Sequence, residues 1–404
     1  MKQGWEIKKL GDVCIVERGS SPRPINKFIT DQPDGVNWIK ISDTKGITKY
    51  LYSTKERITI EGAKQSKYVK EGDFILSNSM SFGNPYIMKT QGYIHDGWFV
   101  LRLPDFIDSN YFYYLLSSPN VQEQIHSLAS GAIVKNISGD LVRQVKVSYP
   151  PLIEQQHIVA ILDRALEAIA KAKANAEQNL KNAKEIFENY LQIVFSTKDE
   201  SWEEKTLGEL VQKTETIDPT KKPNEEFIYL DVSSVNKETK EIENASVLMG
   251  KNAPSRARKL IKTNDVIFAT VRPTHSRVAL ITEEYNEQVC STGYFVLRAK
   301  EFLNNKLIFY FLLTKSFNMQ MEKLQKGASY PAVTDSEVKS QIIHYPKSLS
   351  AQQAIVTKLN ALSAEARKLE AIYQKKMEDL EELKKSVLQK AFNGELKTTK
   401  AIPK

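Results

Sequence analysis

Apolar residues recur at alternating steps of four and three along one segment of the chain, which is the heptad pattern of a long helix with a buried seam. Two successive steps of four in the middle amount to one inserted residue, which locally changes the coiling. The pattern predicts a long helix over 153–197. The seam comprises Ile158, Leu162, Ala165, Ile169, Ala172, Ala176, Leu180, Ala183, Phe187, Tyr190 and Val194.

The same seam returns 197 residues later and predicts a second long helix over 349–396. Ten of its eleven positions are apolar, and Leu383 is expected to replace Lys384, the exception. Two helices with matched seams are expected to pack antiparallel, each spanning about 60 Å at a rise of about 1.5 Å per residue. The positions are Ile355, Leu359, Leu362, Ala366, Leu369, Tyr373, Met377, Leu380, Lys384, Val387 and Ala391.

Each helix follows a segment in which short β-like runs alternate with Gly, Pro, Asn and Asp turn signals, which predicts a mixed α/β domain. A helix is expected at 109–117, with Ser109 as its N-cap and Pro119 marking its stop. The first copy has strand candidates at 36–41, 73–76 and 97–103. The second copy has strand candidates at 227–230, 265–268 and 293–298, and a helix candidate at 305–313.

Short motifs repeat in the same order as these elements. Trp5-Glu6 returns as Trp202-Glu203, 97–102 as 293–298, Tyr149-Pro150 as Tyr345-Pro346, and 155–159 as 352–356. A repeat of this length exceeds the 20–50 residues of solenoid units. The chain is therefore expected to be a pseudo-dimer with an approximate two-fold axis, which suits a target with two halves such as duplex DNA. The domain boundaries predicted are 1–152 and 198–348 for the globular parts, 153–197 and 349–396 for the helices, and 397–404 for a tail.

The loops differ between the copies although the framework is kept. The segment 78–84 corresponds to 270–276, and the two share no residue at corresponding positions. Changed loops on a common framework are expected when two domains of one fold read different targets. For any single loop, neutral drift of the surface remains the alternative.

Composition places the chain among globular proteins, with 41% hydrophobic residues, 16 Phe and 17 Tyr in 404 residues. Its apolar runs are too short for a membrane span, and the first repeat begins too early to leave room for a signal peptide. Cys14 and Cys290 fall at unrelated places in the two copies. We interpret them as reduced thiols of a cytoplasmic protein.

The net charge of +8 favours a polyanionic partner, and its placement adds to this. Between Lys251 and Arg277, seven basic residues accompany one acidic residue, Asp265. Arginine suits bidentate contact with guanine and lysine suits phosphate, although a charged run can also be only a solvated surface. The candidate DNA-binding residues are Arg18, Arg23, Lys64, Lys67, Asn78 and Ser79 in the first copy and Arg256, Arg258, Arg272, Arg277 and Tyr330 in the second.

Signals for catalysis are weak. The five histidines have no metal-ligand spacing, and a nucleotide-binding GxxxxGK[ST] loop is absent from the sequence. Asn84-Pro85-Tyr86 lacks the second proline of the amino-methyltransferase element, and Glu238-Thr239-Lys240 matches a nuclease pattern too loosely to count. The sequence favours a non-catalytic binding protein.

The ordered motifs resemble the specificity subunit of type I restriction-modification systems. They are Trp-x-x-x-x-Leu-Gly-Asp/Glu, a variable domain with a glycine near its end (Gly131, Gly327), Tyr-Pro, and Gln-Gln-x-Ile-Val opening a long helix, all present twice. The closing residues 391–396 are also similar to that family's usual end. Residues 347–350 depart from the commoner form at 151–154, which affects only the loop there.

The resemblance implies an α+β protein with two α/β target-recognition domains, each followed by a long helix, which together read a bipartite, asymmetric double-stranded DNA site. Two methyltransferase subunits holding S-adenosylmethionine would dock on the helices, and restriction subunits using ATP and Mg would join them. The chain itself would bind no cofactor or metal and would not be an enzyme. The helix residues expected to dock partners are Ile158, Leu162, Ile169, Leu180, Ile355, Leu359, Leu369 and Leu380.

Two alternatives remain at this level. The helices could form a dimerisation arm that joins two chains, or the chain could be a coiled-coil scaffold whose globular heads bind protein. A stand-alone modification enzyme would require a cofactor site that the sequence does not contain.

Overall fold

The structure, a computed structural model, describes residues 4–78, 82–130, 138–197 and 200–396, with side chains for all of these except 129 and 130. The chain forms two compact units. Unit 1 comprises Met1–Ala176 and Lys375–Lys404, and unit 2 comprises Glu177–Gln374. Each unit thus contains one globular domain together with a segment of each long helix.

The elements up to the end of the first long helix include the predicted strands and helices in their predicted order, together with others that the sequence did not predict. The strands are β1 (Glu6–Lys9), β2 (Ile15–Arg18), β3 (Val36–Ile39), β4 (Tyr50–Leu51), β5 (Glu56–Ile58), β6 (Lys67–Val69), β7 (Phe74–Ser77), β8 (Pro85–Met88), β9 (Gly92–Ile94), β10 (Trp98–Arg102) and β11 (Lys146–Tyr149). The helices are α1 (Leu10–Val13), α2 (Ile60–Ala63), α3 (Ser109–Leu116), α4 (Pro119–Ser130), α5 (Gly139–Gln144) and α6 (Leu152–Ser196).

The remaining elements repeat much of this order. The strands are β12 (Trp202–Thr206), β13 (Val211–Gln212), β14 (Glu226–Leu230), β15 (Ser246–Met249), β16 (Ala257–Ile261), β17 (Val266–Ala269), β18 (Val278–Leu280), β19 (Gln288–Ser291), β20 (Tyr294–Ala299) and β21 (Ile342–Pro346). The helices are α7 (Leu207–Leu210), α8 (Asn305–Leu312), α9 (Lys315–Leu324), α10 (Asp335–Lys339) and α11 (Leu349–Phe392).

Among the residues that the structure describes, each globular domain contains three sheets. Unit 1 has the strand orders β2-β10-β7-β8-β4, β5-β3-β9-β6 and β1-β11. Unit 2 has β13-β20-β17-β18, β15-β14-β19-β16 and β12-β21. The central strands pair antiparallel in the same register, since Phe99 faces Leu76 in one copy and Phe295 faces Phe268 in the other. The duplicated sequence therefore folds into a duplicated sheet.

The main core of each domain lies between its central sheet and its helices. In unit 1, Phe74 and Phe112 meet edge to face at 5.1 Å, and Leu388 and Phe392 from the end of α11 complete the cluster. In unit 2, Phe268 packs against Phe317 at 5.3 Å within a core that includes the end of α6. The apolar faces of the long helices are thus buried by the domains as well as by each other.

The first residues of α3 differ from the sequence prediction. Asp108, not Ser109, is the N-cap, and its carboxylate accepts hydrogen bonds at 2.9 Å from the backbone N of Asn110 and of Tyr111. Pro119 begins α4 as well as following α3, because proline at the first helical position has no backbone N–H that needs a partner. Pro119 therefore both follows the end of α3, as predicted, and starts α4, which the sequence did not predict.

The long helices pack antiparallel, which confirms the predicted fold class. Within unit 1, Lys173 Nζ lies 2.6 Å from Glu381 Oε1, and within unit 2, Lys184 Nζ lies 3.9 Å from Glu370 Oε2. From the first of these ion pairs to the second, the residue number rises by eleven on α6 and falls by eleven on α11. An antiparallel pair of helices requires this.

The seam of α6 is buried or half-buried at every predicted position, whereas the seam of α11 is looser. Leu369 is 38% exposed. Leu383 is 48% exposed, so the prediction that it replaces Lys384 in the seam is wrong. The buried residues nearest to this point are Leu388 and Ala391, and of these two only Ala391 is a predicted seam position.

Candidate nucleic-acid interface

The chain leaves the central sheet at the same place in both domains. Asn78 directly follows β7, and its backbone N donates to Gly97 O at 2.8 Å just before β10. Thr270 directly follows β17, and its backbone N donates to Gly293 O at 2.8 Å just before β20. We call this edge the loop end of each domain, because the loops that differ between the copies meet there.

At the loop end of unit 1, two predicted arginines converge on Asp96. Arg18 Nε donates to Asp96 O at 3.3 Å, and Arg23 Nη2 lies 3.4 Å from Asp96 Oδ2. Ser21 Oγ donates to the other carboxylate oxygen at 2.8 Å. Burial opposes ionisation of Asp96, but hydrogen bonds from Ser21 and the backbone, together with nearby positive charge, lower its pKa. The two exposed guanidinium groups are thereby held beside one residue, Arg18 by the Asp96 backbone carbonyl and Arg23 by the carboxylate.

Two predicted lysines lie near this cluster. Ser20 Oγ donates to Gln65 O at 2.7 Å, which brings the neighbouring exposed Lys64 to the same surface. Lys67 Nζ instead lies 2.9 Å from Glu17 Oε1, so a carboxylate already compensates its charge.

At the loop end of unit 2, Arg272 and Tyr330 form a stacked pair. The guanidinium carbon lies 5.1 Å from the centre of the tyrosine ring, and the Arg272 backbone N donates to Pro331 O at 2.7 Å. Tyr330 is 72% exposed. A planar cation and an aromatic ring side by side offer both hydrogen bonds and stacking to a nucleic acid.

Arg256 and Arg277 reach the same loop end through their backbones. Thr292 N donates to Arg256 O at 2.8 Å, next to Gly293, and the Arg256 side chain is exposed. Ala269 N donates to Arg277 O at 2.9 Å. The Arg277 guanidinium, however, donates to Val235 O and is half-buried, so it is directed into the protein.

Much of the basic run in unit 2 is compensated by carboxylates from elsewhere in the chain. Arg258 Nη1 lies 3.5 Å from Asp218 Oδ1. Lys259 Nζ lies 2.9 Å from Asp335 Oδ2, and Lys262 Nζ lies 3.1 Å from Glu215 Oε1. The segment from Lys251 to Arg277 contains one acidic residue, but the fold brings three further carboxylates to it. This weakens the prediction that Arg258 binds DNA.

One predicted residue of unit 1 does not present an accessible side chain at the loop end. Asn78 is 1% exposed, so its side-chain amide is buried at the end of the sheet and cannot reach a base edge. This corrects its assignment as a DNA-binding side chain. The predicted Ser79 and the motif glycine Gly131 lie outside the described residues.

Sequence reasoning missed Asp96 and its neighbour His95. Gly97 N donates to His95 Nδ1 at 2.8 Å, and burial lowers the pKa of His95, although the nearby Asp96 carboxylate opposes this shift. The signal that could have found them is their position, because they directly precede the glycine that recurs at both loop ends.

Comparison with known proteins identifies the family. The family model for the type I restriction modification DNA specificity domain matches residues 2–181 and again 199–378. The chain belongs to this family. The predicted role as the DNA specificity subunit of a type I restriction-modification system is confirmed, and the family role is one of recognition and not of catalysis.

Curated relatives of this specificity-domain family match along almost the whole chain. The MjaIX specificity subunit of Methanocaldococcus jannaschii is 22% identical, over 97% of this chain and 94% of its own length. The EcoKI specificity subunit of Escherichia coli strain K12 is 23% identical, over 98% of this chain and 90% of its own length.

Solved structures share the fold. A chain from a study of complex assembly and conformational transition of the type I restriction-modification system has a TM-score of 0.79 and 18% identity, covering 98% of this chain and 99% of that one. The HsdS subunit of Thermoanaerobacter tengcongensis has a TM-score of 0.63 and 19% identity, covering 98% of each chain.

In this specificity-domain protein, most of the helix residues predicted to dock partners are internal. Ile158, Leu162, Ile169 and Leu359 are at most 8% exposed, so their side chains are covered within the described part of the chain. Leu180, Ile355 and Leu380 are half-buried, and only Leu369 is exposed.

Other apolar residues on the two helices are exposed. Ile186 on α6 is 63% exposed, and Leu383 on α11, which occupies the position 197 residues later, is 48% exposed. Ile186 belongs to unit 2 and Leu383 to unit 1. We call these two residues the docking pair, because each unit presents one of them on its helical surface.

Metal-ligating side chains are scattered in the described part of the chain. It contains no cluster of three or more His, Cys, Asp or Glu residues that could hold a metal ion. Burial raises the pKa of both the Cys14 and the Cys290 thiol to about 12, so neither is ionised near neutral pH. None of the described helices is long and apolar enough to cross a membrane.

Proposed function

We propose that the two loop ends each read one half of a bipartite, asymmetric double-stranded DNA sequence. Arg18, Arg23 and Lys64 would contact one half-site, and Arg256, Arg272 and Tyr330 the other. The observation that carries the proposal is a backbone hydrogen bond that both loop ends share, from Asn78 N to Gly97 O and from Thr270 N to Gly293 O. The side chains of the loops around this bond differ between the two domains. A common frame with different side chains suits two different half-sites.

The chemistry of these groups supports both binding and readout. Exposed arginines neutralise phosphates, which gives affinity that depends on salt concentration. An arginine in the major groove can also bind guanine O6 and N7 through two hydrogen bonds. Arg272 is suited to the second task, because its guanidinium carbon lies over the Tyr330 ring at 5.1 Å, which limits where the guanidinium group can move.

We further propose that the docking pair forms part of two equivalent contact surfaces for methyltransferase subunits. Equivalent exposed apolar residues, one in each unit, fit two copies of one partner. S-adenosylmethionine would be held by those subunits, and ATP and Mg by restriction subunits in the same complex. The assembly would act in the cytoplasm, where the buried free thiols of Cys14 and Cys290 remain reduced.

The experiment is selection of a preferred sequence from a pool of randomised duplexes, using the full chain bound to its methyltransferase. The double variant Arg18→Ala, Arg23→Ala should relax the preference at one half-site only, and Arg272→Ala at the other only. Lys347→Ala is the control, since Lys347 is exposed beyond the end of β21. Relaxation of the same positions by both variants, or of none, would reject the proposal.

A further inference from the structure

The segment 270–277 of unit 2, which we call the recognition loop, has an unusual backbone. Arg272 has φ of 50° and Ser276 has φ of 47°, and they flank the short 3-10 turn Pro273–His275. Residues other than glycine rarely adopt this left-handed conformation, because the side chain crowds the backbone. Contacts from outside the loop must therefore hold it.

Two side chains from other elements bind the second half of the recognition loop. Lys240 Nζ donates to Ser276 O at 2.8 Å. Asn318 of α9 donates from Nδ2 to Thr274 O at 3.3 Å and also to Ser276 Oγ. Side-chain hydrogen bonds thus hold Ser276, which has the left-handed conformation, and also the turn that precedes it.

Lys240 belongs to a short hairpin, 235–242, closed by the bridge between Val235 and Ile242. Lys240 is itself left-handed, with φ of 61°, and its backbone N donates to Asn236 O at 3.0 Å. Its ammonium group also donates to Lys237 O. Burial lowers the pKa of Lys240 to about 8, although nearby Glu238 opposes the shift. The ammonium group thus donates hydrogen bonds to two backbone carbonyls of the protein, those of Lys237 and Ser276.

The hairpin is anchored on both sides. The Arg277 guanidinium, from the end of the recognition loop, donates to Val235 O. On the other side, Arg367 of α11 lies 2.9 Å from Glu241 Oε1 and donates to Thr239 O at 2.6 Å. The hairpin therefore connects the recognition loop to the long helix within unit 2.

We propose that Lys240 is a positioning residue for base discrimination: through Ser276 it holds the recognition loop in the conformation that presents Arg272, without touching DNA itself. The inference rests on the proposed function, because it assumes that Arg272 reads the second half-site.

The test uses the full chain with its methyltransferase and the duplex selected from the randomised pool. Binding is measured to that duplex and to every single-base change in each half-site. Lys240→Met should reduce discrimination in the second half-site about tenfold, roughly the loss of one well-oriented arginine contact, and leave the first half-site unchanged. Lys240→Arg should restore most of it, since a guanidinium can also donate to Ser276 O. Lys237→Met, at an exposed lysine of the same hairpin, is the control.

Asn318→Ala provides an independent test, because it removes the other side-chain support of the loop and decides the question if Lys240→Met does not fold. Folded variants that discriminate as well as the wild type would overturn the inference, and so would an equal loss at both half-sites. If Arg272→Ala has no effect on either half-site, the proposed function fails instead. If Arg272→Ala relaxes the second half-site but the Lys240 and Asn318 variants do not, only the inference fails.

Discussion

The side-chain amide of Gln155 accepts a hydrogen bond from the backbone N of Asp108 at 2.8 Å, joining the start of α6 to the N-cap of α3. Its Nε2 donates to Phe106 O at 3.1 Å and to Pro150 O at 2.9 Å, and the residue is 0% exposed. Gln352 makes the corresponding three hydrogen bonds in unit 2, to Asn304 N, Phe302 O and Pro346 O. The repeated Gln-Gln motif is therefore a structural clamp.

Substitution Gln155→Leu should destabilise unit 1. The leucine would leave the Asp108 N–H and two carbonyls without their side-chain partner. The bond to Pro150 O is buried, and a single unsatisfied buried group costs about 1–3 kcal/mol. The midpoint of urea unfolding should fall accordingly. Gln156→Leu is the matched control on the neighbouring exposed position. Equal midpoints for the two variants would contradict the clamp.

Arg272→Ala should lower the salt dependence of DNA binding as well as relax specificity. Each phosphate contact that is lost should change the slope of log K against log salt by about 0.9. Arg258→Ala should change the slope less, because Asp218 already compensates that charge. Affinities measured by titration at several salt concentrations decide this. A slope unchanged by Arg272→Ala, as for Lys347→Ala, would argue against phosphate contact by Arg272.

Ile186→Lys and Leu383→Lys should each remove one methyltransferase subunit from the complex, because each places a charge on one of two equivalent apolar surfaces. Native mass spectrometry should show one bound methyltransferase for either variant and none for the double variant. Asn189→Lys, at an exposed polar position on α6, controls for the added charge. Retention of two subunits by both single variants would rule out the docking pair.

The acid sensitivity of unit 2 should depend on Glu215. Its hydrogen bonds with Arg298, 2.6 Å between Nη1 and Oε2, and with Lys262 lower the pKa of Glu215 from 4.5 to about 2. The stabilisation is complete above the ordinary pKa and is lost as the pH falls toward the folded-state value, because the unfolded chain then binds a proton first.

Glu215→Gln should therefore flatten the decrease in stability, reported by urea-unfolding midpoints, between about pH 5 and about pH 2. Glu226→Gln, at an exposed position on β14, should follow the wild-type curve. If the Glu215→Gln and wild-type curves are parallel, the ion pair contributes nothing to the acid response.

The sequence predicted those strands and helices of the repeat that have a strong local pattern, and it missed others such as β1, β2 and α5. Such patterns involve only neighbours within a few residues. Examples are the period of the apolar positions on α6 and the apolar segments that form β7 and β17. The details of α3 were missed because Asp108 and Ser109 are both good N-caps, and the choice between them depends on where the Gln155 amide lies.

The sequence by itself determined the duplication, the antiparallel helix pair, the family and the order of those strands and helices that it predicted. These follow from periodicity and motif order, which are properties of the chain alone. Only the tertiary structure decided which charges remain free, because Asp218, Asp335 and Glu215 reach the basic run from distant segments. It also decided which apolar helix residues face outward, since burial depends on what packs against a helix and not on its own repeat.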